Sequence, residues 1–488
     1  MSVSGVKQQR LLIGGEWVDS SDGRTFEVRS PYTAELASLG ASASVADARR
    51  AVEAAAGAFD EWSATPLSER RVILERAADL MQERGPEFAA IVAEETGGTF
   101  GWGMFNVGLA TGMLREAGVH AAAVHDQEIV SHISGKRMRG VRQPAGVNVG
   151  IAPWNAPVIL GTRAIAAPLA YGNTVVMKAS ELSPRVHGAI IECLVQADIP
   201  AGVVNLITND PADAAEVVEE LIAHPQVRRI NFTGSSHVGA IIAEKAGRHL
   251  KRVLLELGGK APFVVLDDAD LDAAAAAANF GAFFYQGQIC MSTERIVVDR
   301  RVADELAAKL AARAGSLSVG DPSDPSTQIG PLINAAALDR VSELVEDAVE
   351  KGAQVLVGGE ADGLVYRPTV LRGVTPEMRI YREESFGPSV SIIEVDGADE
   401  AIDVANDTDY GLASAIFSRD VERAEQLAGR IQSGICHIND ATVHDEPQVP
   451  FGGVKNSGWG RFGGEWAAEE FTEVRWITVQ DELREYPI

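Results

Sequence analysis

The sequence contains one thiol whose neighbours suit nucleophilic chemistry. Cys290 lies in the stretch YQGQICMST, where Gly287 would let the backbone approach a bound molecule closely. A thiolate is a strong nucleophile, particularly near a helix N-terminus, and it can form a covalent intermediate with a substrate. A free cysteine is more often a buried and inert side chain, so Cys290 considered alone leaves both interpretations open.

A carboxylate and an amide elsewhere in the chain could assist this thiol. Glu256 ends the apolar run VLLE before two glycines, where burial would raise its pKa toward that of a general base. Asn155 lies in the proline-bounded loop IAPWNAP, from which its amide could donate to a developing oxyanion. The same positions also suit a capping or paired glutamate and an ordinary turn asparagine.

Two further stretches suit a nucleotide. In RRINFTGSSHVG, an apolar strand leads through Gly234 into a helix whose first N–H groups could face a phosphate, although a structural turn has the same pattern. In VVMKASE, Lys178 and Glu181 could bond ribose hydroxyls, and the acid would repel a 2′-phosphate. This second pattern is also that of a surface ion pair.

The elements around these residues predict an α/β fold. Short apolar runs such as VNVGIA, NTVVMK and VVNLI alternate with helical patterns, which indicates crossover units and a parallel sheet. The alternation restarts after LELGGK, so a second α/β unit is expected there. From Ser44 an amphipathic helix is predicted, and the β-rich segment around residues 129–147 predicts a hairpin that projects from the body.

Composition narrows the classes of partner. The 43 basic and 69 acidic residues give a net charge of -26, and no Lys/Arg cluster interrupts the acidity, which argues against nucleic acid and membrane surfaces. Cys193, Cys290 and Cys436 lack paired spacing and fit a reducing compartment, with Cys193 read as core and Cys436 as a strand residue. The N-terminus lacks a signal-peptide core, so we expect a cytoplasmic protein. The histidines are scattered, and no metal site is predicted.

The order of the motifs is more specific than any one of them. It resembles the aldehyde dehydrogenase superfamily over nearly the whole chain, and it runs through Asn155, Lys178 with Glu181, Gly234, Glu256 and Cys290, then ESFGP and PFGGVKNSGWGR. LELGGK and GQIC are the most specific stretches. The wording WNAPVILGTRAIAAPLA and VHDEPQVPFGG is most similar to the benzaldehyde, vanillin and salicylaldehyde dehydrogenase group.

The resemblance implies a reaction and a domain plan. Cys290 would attack the aldehyde, Asn155 and the Cys290 N–H would hold the oxyanion, and Glu256 would activate water to release the acid. Relatives that pass the acyl group to coenzyme A usually lack this acid, so Glu256 favours hydrolysis. The CoA-acylating reaction is the alternative. The plan is a Rossmann-like cofactor domain (1–124 and 148–256), an α/β catalytic domain (257–435) and oligomerisation or bridging segments (125–147 and 436–488), in a homodimer or homotetramer.

The resemblance also implies binding residues. Contacts to NAD fall on Trp154, Lys178, Glu181, Gly234, Ser235, Glu384 and Phe386. Glu181 favours NAD over NADP, although some relatives with an acid here accept both. The KASE stretch departs from the common KPSE at Ala179, and Phe462 stands where many relatives have Glu, so a proton relay there is not carried over.

The aldehyde tunnel of the family corresponds to Trp102, Phe105, Ala156, Arg163, Met291 and Phe451. The small Ala156 beside aromatic walls leaves room for a flat ring, and Arg163 could bond a ring hydroxyl. An aromatic aldehyde is therefore expected, and a medium-chain aliphatic aldehyde is the alternative.

Overall fold

The computed structural model describes residues 7–481, 483–486 and 488. Positions 1–6, which begin the N-terminal stretch expected to lack a signal-peptide core, and positions 482 and 487 of the predicted C-terminal segment lie outside the described residues. The helices are α1 (Val45–Ala64), α2 (Leu67–Glu83), α3 (Gly85–Thr96), α4 (Phe100–Ala123), α5 (Pro157–Ala170), α6 (Pro184–Gln196), α7 (Ala214–Ala223), α8 (Ser236–Arg248), α9 (Leu271–Phe283), α10 (Ala303–Gly315), α11 (Ala335–Glu350), α12 (Arg379–Arg382), α13 (Gly397–Asn406), α14 (Val421–Ala428) and α15 (Ala467–Phe471).

The strands are β1 (Gln8–Gln9), β2 (Leu11–Ile13), β3 (Glu16–Val18), β4 (Thr25–Arg29), β5 (Leu36–Ala41), β6 (Gln127–Ile129), β7 (Lys136–Pro144), β8 (Val147–Ile151), β9 (Thr174–Lys178), β10 (Val204–Ile207), β11 (Val227–Thr233), β12 (Arg252–Glu256), β13 (Ala261–Val265), β14 (Thr293–Asp299), β15 (Gln354–Val357), β16 (Ala361–Asp362), β17 (Val365–Tyr366), β18 (Thr369–Arg372), β19 (Ser389–Val395), β20 (Ala413–Phe417), β21 (Ile435–Ile438), β22 (Gly458–Trp459) and β23 (Thr472–Gln480). Turns of 3-10 helix occupy Pro211–Asp213, Phe284–Gly287 and Lys455–Ser457.

The first large sheet has a parallel centre in the spatial order β12-β11-β8-β9-β10. Strands β2 and β3 extend it antiparallel beyond β10, and β22 adds antiparallel to β12. The chain builds from β8 through β9 to β10, then returns to the other side of β8 for β11 and β12. The order therefore reverses between β8 and β11, which is where open α/β sheets bind ligands.

The sequence explains why these elements form. Strands β8 (VNVGI) and β9 (TVVMK) are buried along their whole length, as expected of apolar runs covered by helices on both faces. Helix α1 follows the predicted cap: the Ser44 hydroxyl accepts the Asp47 N–H at 3.2 Å, and the Asp47 carboxylate accepts the Ser44 N–H at 3.0 Å. These elements form the frame that carries the loops of the site.

The second large sheet has the order β15-β18-β19-β14-β13-β20-β21 and is parallel from β18 to β21. Helices α9 and α10 pack on one face, and α13 and α14 pack on the other. The predicted α/β fold with a second α/β unit is thereby confirmed.

The predicted hairpin is formed by β6 and β7, and β7 also pairs antiparallel with β23 from Lys136 opposite Gln480 to Pro144 opposite Thr472. One predicted boundary needs correction. The division after residue 435 cuts β21, because Ile435–Ile438 continues the second sheet beside β20. Strand β22, placed by prediction in the C-terminal segment, completes the first sheet instead. No helix formed by the described residues is both long and apolar enough to cross a membrane.

Candidate active site

A cleft of about 470 Å³ opens at the carboxyl ends of β8, β11 and β12, at the reversal of strand order. The loop after β8 contributes Trp154 and Asn155, and the turn after β11 contributes Gly234 and Ser235. The remaining residues with predicted roles that line it are Glu256, Cys290, Glu384 and Phe386. Sequence positions spread over more than 230 residues thus converge on one cavity.

Cys290 lies on a loop whose backbone is held from several sides. Tyr285 and Gln286 have φ values of 49° and 53°, in the left-handed region that costs a side-chain-bearing residue energy. The Gln286 amide donates to the carbonyls of Gly97 (3.2 Å) and Pro331 (2.9 Å), which ties the loop to the body. The thiol follows a turn of 3-10 helix and not the N-terminus of an α-helix. Cys290 therefore does not lie in the first turn of a helix of its own segment.

The two glycines of LELGGK are explained by close approach. A Cβ on Gly259 would lie 2.3 Å from the carbonyl oxygen of Cys290, and a Cβ on Gly258 would lie 2.7 Å from the Glu384 carboxylate. Because both distances are far inside van der Waals contact, a side chain at Gly259 would displace the backbone of the thiol loop, and one at Gly258 would displace the Glu384 carboxylate. The glycines set the spacing between Glu256, Cys290 and Glu384.

Glu256 ends β12 and is almost fully buried. Among the described residues, neither carboxylate oxygen has a hydrogen-bond partner; the Gly453 N–H lies nearby but outside hydrogen-bonding geometry. Burial raises the pKa of Glu256 to about 8, although the charges of Arg163 and Arg461 oppose the shift. An unpartnered carboxyl that titrates near neutrality is suited to take a proton from a ligand or a water molecule.

The resting form of Cys290 is the thiol. Burial raises its pKa to about 12, and the neighbouring Glu256 charge contributes in the same direction. Because the pKa of Glu256 is the lower of the two, the first proton lost by the pair leaves the carboxyl. The carboxylate then stands ready as a base beside a protonated nucleophile.

Asn155 is buried between the thiol loop and helix α4. The side-chain Nδ2 of Asn155 donates to the backbone carbonyl of Gln288 at 3.0 Å. The backbone carbonyl of Asn155 accepts the indole N–H of Trp102 at 3.1 Å. An amide has two N–H donors, so one remains for a ligand oxygen. The arrangement holds the amide rigidly at the edge of the cleft.

Of the other residues with predicted nucleotide contacts, Ser235 lines the cleft, whereas Lys178 and Glu181 do not line it and lie at the carboxyl end of the neighbouring strand β9. Ser235 caps α8, and its hydroxyl accepts the N–H of Val238 at 3.3 Å, which leaves the first backbone donors of the helix facing outward. Lys178 ends β9 as predicted, and its ammonium contacts Glu181 at 2.9 Å. Burial, the largest single influence, would raise the pKa of Glu181, but the Lys178 charge and the hydrogen bonds to the carboxylate together outweigh it, and the pKa is lowered.

Glu384 and Phe386 border the same region. The Glu384 carboxylate accepts the N–H of Gly259 at 2.8 Å, and the Phe386 ring stands edge-on to Trp154 with centroids 5.8 Å apart. Burial raises the pKa of Glu384 to about 7, with the nearby Glu294 adding to the shift. The turn at Gly234, the Lys178–Glu181 ion pair and these two side chains suit the contacts to a dinucleotide that the sequence predicts.

The structure divides the residues that were assigned to the aldehyde tunnel. Trp102 is buried and stacked between Tyr285 (4.6 Å) and Phe105 (5.7 Å), so it supports Asn155 from behind. Phe105 is partly exposed, whereas Ala156, Met291 and Phe451 are buried in the cluster that surrounds the thiol loop. Trp102 is therefore a supporting residue in this conformation, and its place in the tunnel wall stays a prediction.

Arg163, predicted to bond a ring hydroxyl, has a buried partner in the structure, and its contact with substrate stays a prediction. Its guanidinium is ion-paired with Asp445 and lies 4.1 Å from the ring centroid of Phe451. Both charged side chains are buried, and Asp445 Oδ1 has no hydrogen-bond partner among the described residues. Sequence reasoning missed Asp445; the one available signal was that Arg163 stands in the otherwise apolar helix PVILGTRAIAAPLA and needed a buried counter-charge.

Fold and cleft together define an α/β enzyme that places a nucleotide crevice beside a nucleophilic thiol and a buried base. Residues 17–477 match the Aldehyde dehydrogenase family model, and the chain belongs to that family. It is an oxidoreductase that acts on aldehydes, and its hydride acceptor is NAD(P).

Individual relatives are similar over nearly their whole length. A vanillin dehydrogenase of Pseudomonas sp. (strain HR199 / DSM 7063) is 57% identical, with 98% of this chain and 99% of that protein covered. A benzaldehyde dehydrogenase of Bacillus subtilis (strain 168) is 41% identical over 98% of each chain. The crystal structure of a salicylaldehyde dehydrogenase from Pseudomonas putida G7, complexed with salicylaldehyde, superimposes with a TM-score of 0.97 at 45% identity and covers 99% of this chain and 100% of that one.

Proposed function

We propose that the protein oxidises aromatic aldehydes to carboxylic acids with NAD, through a covalent intermediate on Cys290. The observation that carries the proposal is the unpartnered, buried carboxyl of Glu256 in the same cleft as the thiol. A base in this position serves hydrolysis of a thioester. The product is therefore the free acid and not a coenzyme A thioester.

The chemistry follows from the side chains. As the sulfur attacks the carbonyl carbon, Glu256 takes the thiol proton, and a thiohemiacetal forms on Cys290. The free N–H of the Asn155 amide and the Cys290 N–H donate to its oxyanion. NAD, when bound, accepts the hydride from this carbon. Glu256 passes the thiol proton to solvent and, ionised again, removes a proton from water; the hydroxide adds to the thioester left by hydride loss, and the C–S bond breaks to release the acid and the Cys290 thiolate.

The proposed specificity for NAD over NADP rests on the Lys178–Glu181 ion pair. Glu181 is ionised near neutrality, because Lys178 lowers its pKa. A carboxylate at the end of the strand next to β8 accepts ribose hydroxyls and repels a 2′-phosphate. Trp154, Gly234, Ser235, Glu384 and Phe386 complete the proposed NAD contacts.

The substrate class is supported by the buried charges near the thiol. The relatives named above act, by their names, on benzaldehydes with and without ring hydroxyls. In this chain the charge of Arg163 lowers the pKa of Cys290 and that of Asp445 raises it, so both lie near the thiol. Asp445 Oδ1 is a buried acceptor without a hydrogen-bond partner among the described residues. We infer that a ring hydroxyl of the substrate donates to Asp445, while Phe451 and Ala156 border a flat ring.

The test is NADH formation with benzaldehyde, 4-hydroxybenzaldehyde, vanillin, salicylaldehyde and hexanal, without coenzyme A. Aromatic substrates are expected to give acid and NADH in equal amounts. Cys290→Ala should abolish turnover, and Cys436→Ala, which alters another partly buried thiol, should leave it unchanged. A preference for hexanal, or a need for coenzyme A, contradicts the proposal.

A second comparison tests the hydroxyl contact. Asp445→Asn should lower the ratio of kcat/KM for 4-hydroxybenzaldehyde to that for benzaldehyde by about tenfold, because a buried hydrogen-bonding partner is weakened. General damage to the enzyme cancels in this ratio. An unchanged ratio removes Asp445 from substrate recognition.

The exposed edge of β23 supports a homo-oligomer, as a homodimer or homotetramer. Val474 and Trp476 are 61% and 66% exposed on this strand, and an exposed apolar edge favours pairing with another chain. Light scattering of the purified protein, with Trp476→Lys as the variant that weakens the edge, tests this.

A further inference from the structure

An ion pair lies fully buried behind the candidate active site. Lys260 follows the glycines of LELGGK, and Glu294 lies four positions after Cys290. The Lys260 ammonium contacts the Glu294 carboxylate, and their side chains are 0% and 4% exposed. A buried ion pair is weak evidence for stability, because desolvation offsets most of the attraction. A geometric role therefore has to be sought in what else the pair contacts.

The Glu294 carboxylate holds the loop that carries Glu384 and Phe386. It accepts the backbone N–H of Ser385 through both oxygens (3.0 and 2.9 Å), the Ser385 hydroxyl (2.7 Å) and the N–H of Phe386 (3.2 Å). Together with Lys260, these donors satisfy the buried carboxylate. One side chain thus fixes two consecutive peptide groups of ESFGP.

Those peptide groups need an external hold. Phe386 has a φ of 50°, in the left-handed region where a bulky side chain is strained. Strain of this kind persists where surrounding contacts enforce it. The consequence here is that Phe386 faces Trp154 across the cleft while Glu384 turns to the N–H of Gly259.

We propose that Glu294, neutralised by Lys260, is a positioning residue that sets Glu384 and Phe386 to receive the nicotinamide ribose of the cofactor. The proposal rests on the proposed use of NAD. It assigns a function to a carboxylate that touches neither the substrate nor the reacting atoms, and that acts through the backbone of Ser385 and Phe386.

Glu294→Gln is the first variant. The amide retains one acceptor oxygen but presents an NH₂ group to the Ser385 N–H and leaves the Lys260 charge unpaired. The dissociation constant of NADH, measured by fluorescence titration with NADH alone, is expected to rise about tenfold. The KM for NAD should rise in parallel, while the KM for the aldehyde changes less than twofold. Asp272→Asn, which breaks the exposed Lys309–Asp272 pair of the same unit, is the control and should change neither.

A double variant separates positioning from simple destabilisation. Lys260→Met combined with Glu294→Gln removes the unpaired charge, so thermal stability should recover toward wild type, but weak NADH binding should remain. Ser385→Ala, which keeps the ion pair and removes one bond to the carboxylate, should raise the dissociation constant two- to fivefold.

The outcomes are distinguishable. Wild-type NADH affinity in a folded Glu294→Gln or double variant overturns the positioning role while leaving the proposed function intact. Recovery of both stability and NADH affinity in the double variant also overturns it, because the pair would then act only through charge balance. Absence of NADH binding by the wild-type protein refutes the proposed function itself.

Discussion

Replacing Glu256 with glutamine tests the central electrostatic argument, because it predicts two opposite effects on activity and on stability. The amide has nearly the same shape but cannot take a proton. The carboxyl is almost fully buried and lacks a hydrogen-bond partner among the described residues, so its ionisation inside the fold is costly. The variant should therefore lose the base and also remove the cost of ionising it.

The size of the stability effect follows from the pKa. A shift from 4.5 to about 8 corresponds to roughly 5 kcal/mol of preference for the neutral acid in the folded state. Between these pH values the unfolded chain has lost a proton that the folded chain keeps, so wild-type stability falls as pH rises through this window. The glutamine variant lacks this loss. Its apparent Tm should exceed that of wild type increasingly from pH 5 to pH 8, by about 5 °C at the upper end.

The kinetic effect appears after the hydride step. Without a base, hydrolysis of the thioester should slow, and kcat should fall by about 10²- to 10⁴-fold. A stoichiometric burst of NADH, together with an acyl group on Cys290 detected by mass spectrometry, should precede the slow steady state. In wild type, kcat should rise with pH and level off above about 8 if hydrolysis limits turnover.

The control is Glu244→Gln, which changes an exposed carboxylate on α8. It should alter neither kcat nor the pH dependence of the Tm. The reasoning fails if Glu256→Gln turns over within tenfold of wild type, or if the difference in Tm between it and wild type is the same at pH 5 and pH 8. The first result would locate the base elsewhere, and the second would mean that Glu256 is solvated in the folded protein.

Three further substitutions test the rest of the site. Asn155→Ala should lower kcat by about 10²- to 10³-fold in steady-state assays with little change in NADH affinity, because it removes an oxyanion donor. Gly259→Ala should nearly abolish turnover and slow alkylation of Cys290 by iodoacetamide, because its Cβ would lie 2.3 Å from the Cys290 carbonyl oxygen and displace it. Normal kinetics would show that the loop adjusts without loss of function. Glu181→Gln should raise the ratio of NADP to NAD turnover about tenfold, and an unchanged ratio would place the 2′-phosphate elsewhere.

The sequence predicts the reactive residues better than the residues that hold them. Glu256 stands out because a charge ends an apolar run, and this anomaly is visible without a structure. Glu294 has no such signal: in TERIVVD it resembles the polar end of an ordinary strand, yet its partners lie 34 and 91 positions away. Arg163 signals a buried partner, but nothing local identifies Asp445, which is 282 positions distant. Long-range pairing of buried polar groups is set by topology and cannot be inferred from local pattern.

The charges around Cys290 determine when its thiol becomes reactive. Burial is the largest cause of the raised pKa of Cys290; the charges of Glu256, Glu384 and Asp445 add to it, and that of Arg163 opposes it. An uncharged thiol resists oxidation and stray alkylation, so the empty site is protected. A cationic ring that enters the cleft adds the opposite charge in a buried setting, where it strongly favours the thiolate. Alkylation of Cys290 by iodoacetamide near pH 8 should therefore be faster with NAD present than with NADH. Equal rates would mean that the positive charge of the ring does not favour the thiolate of Cys290.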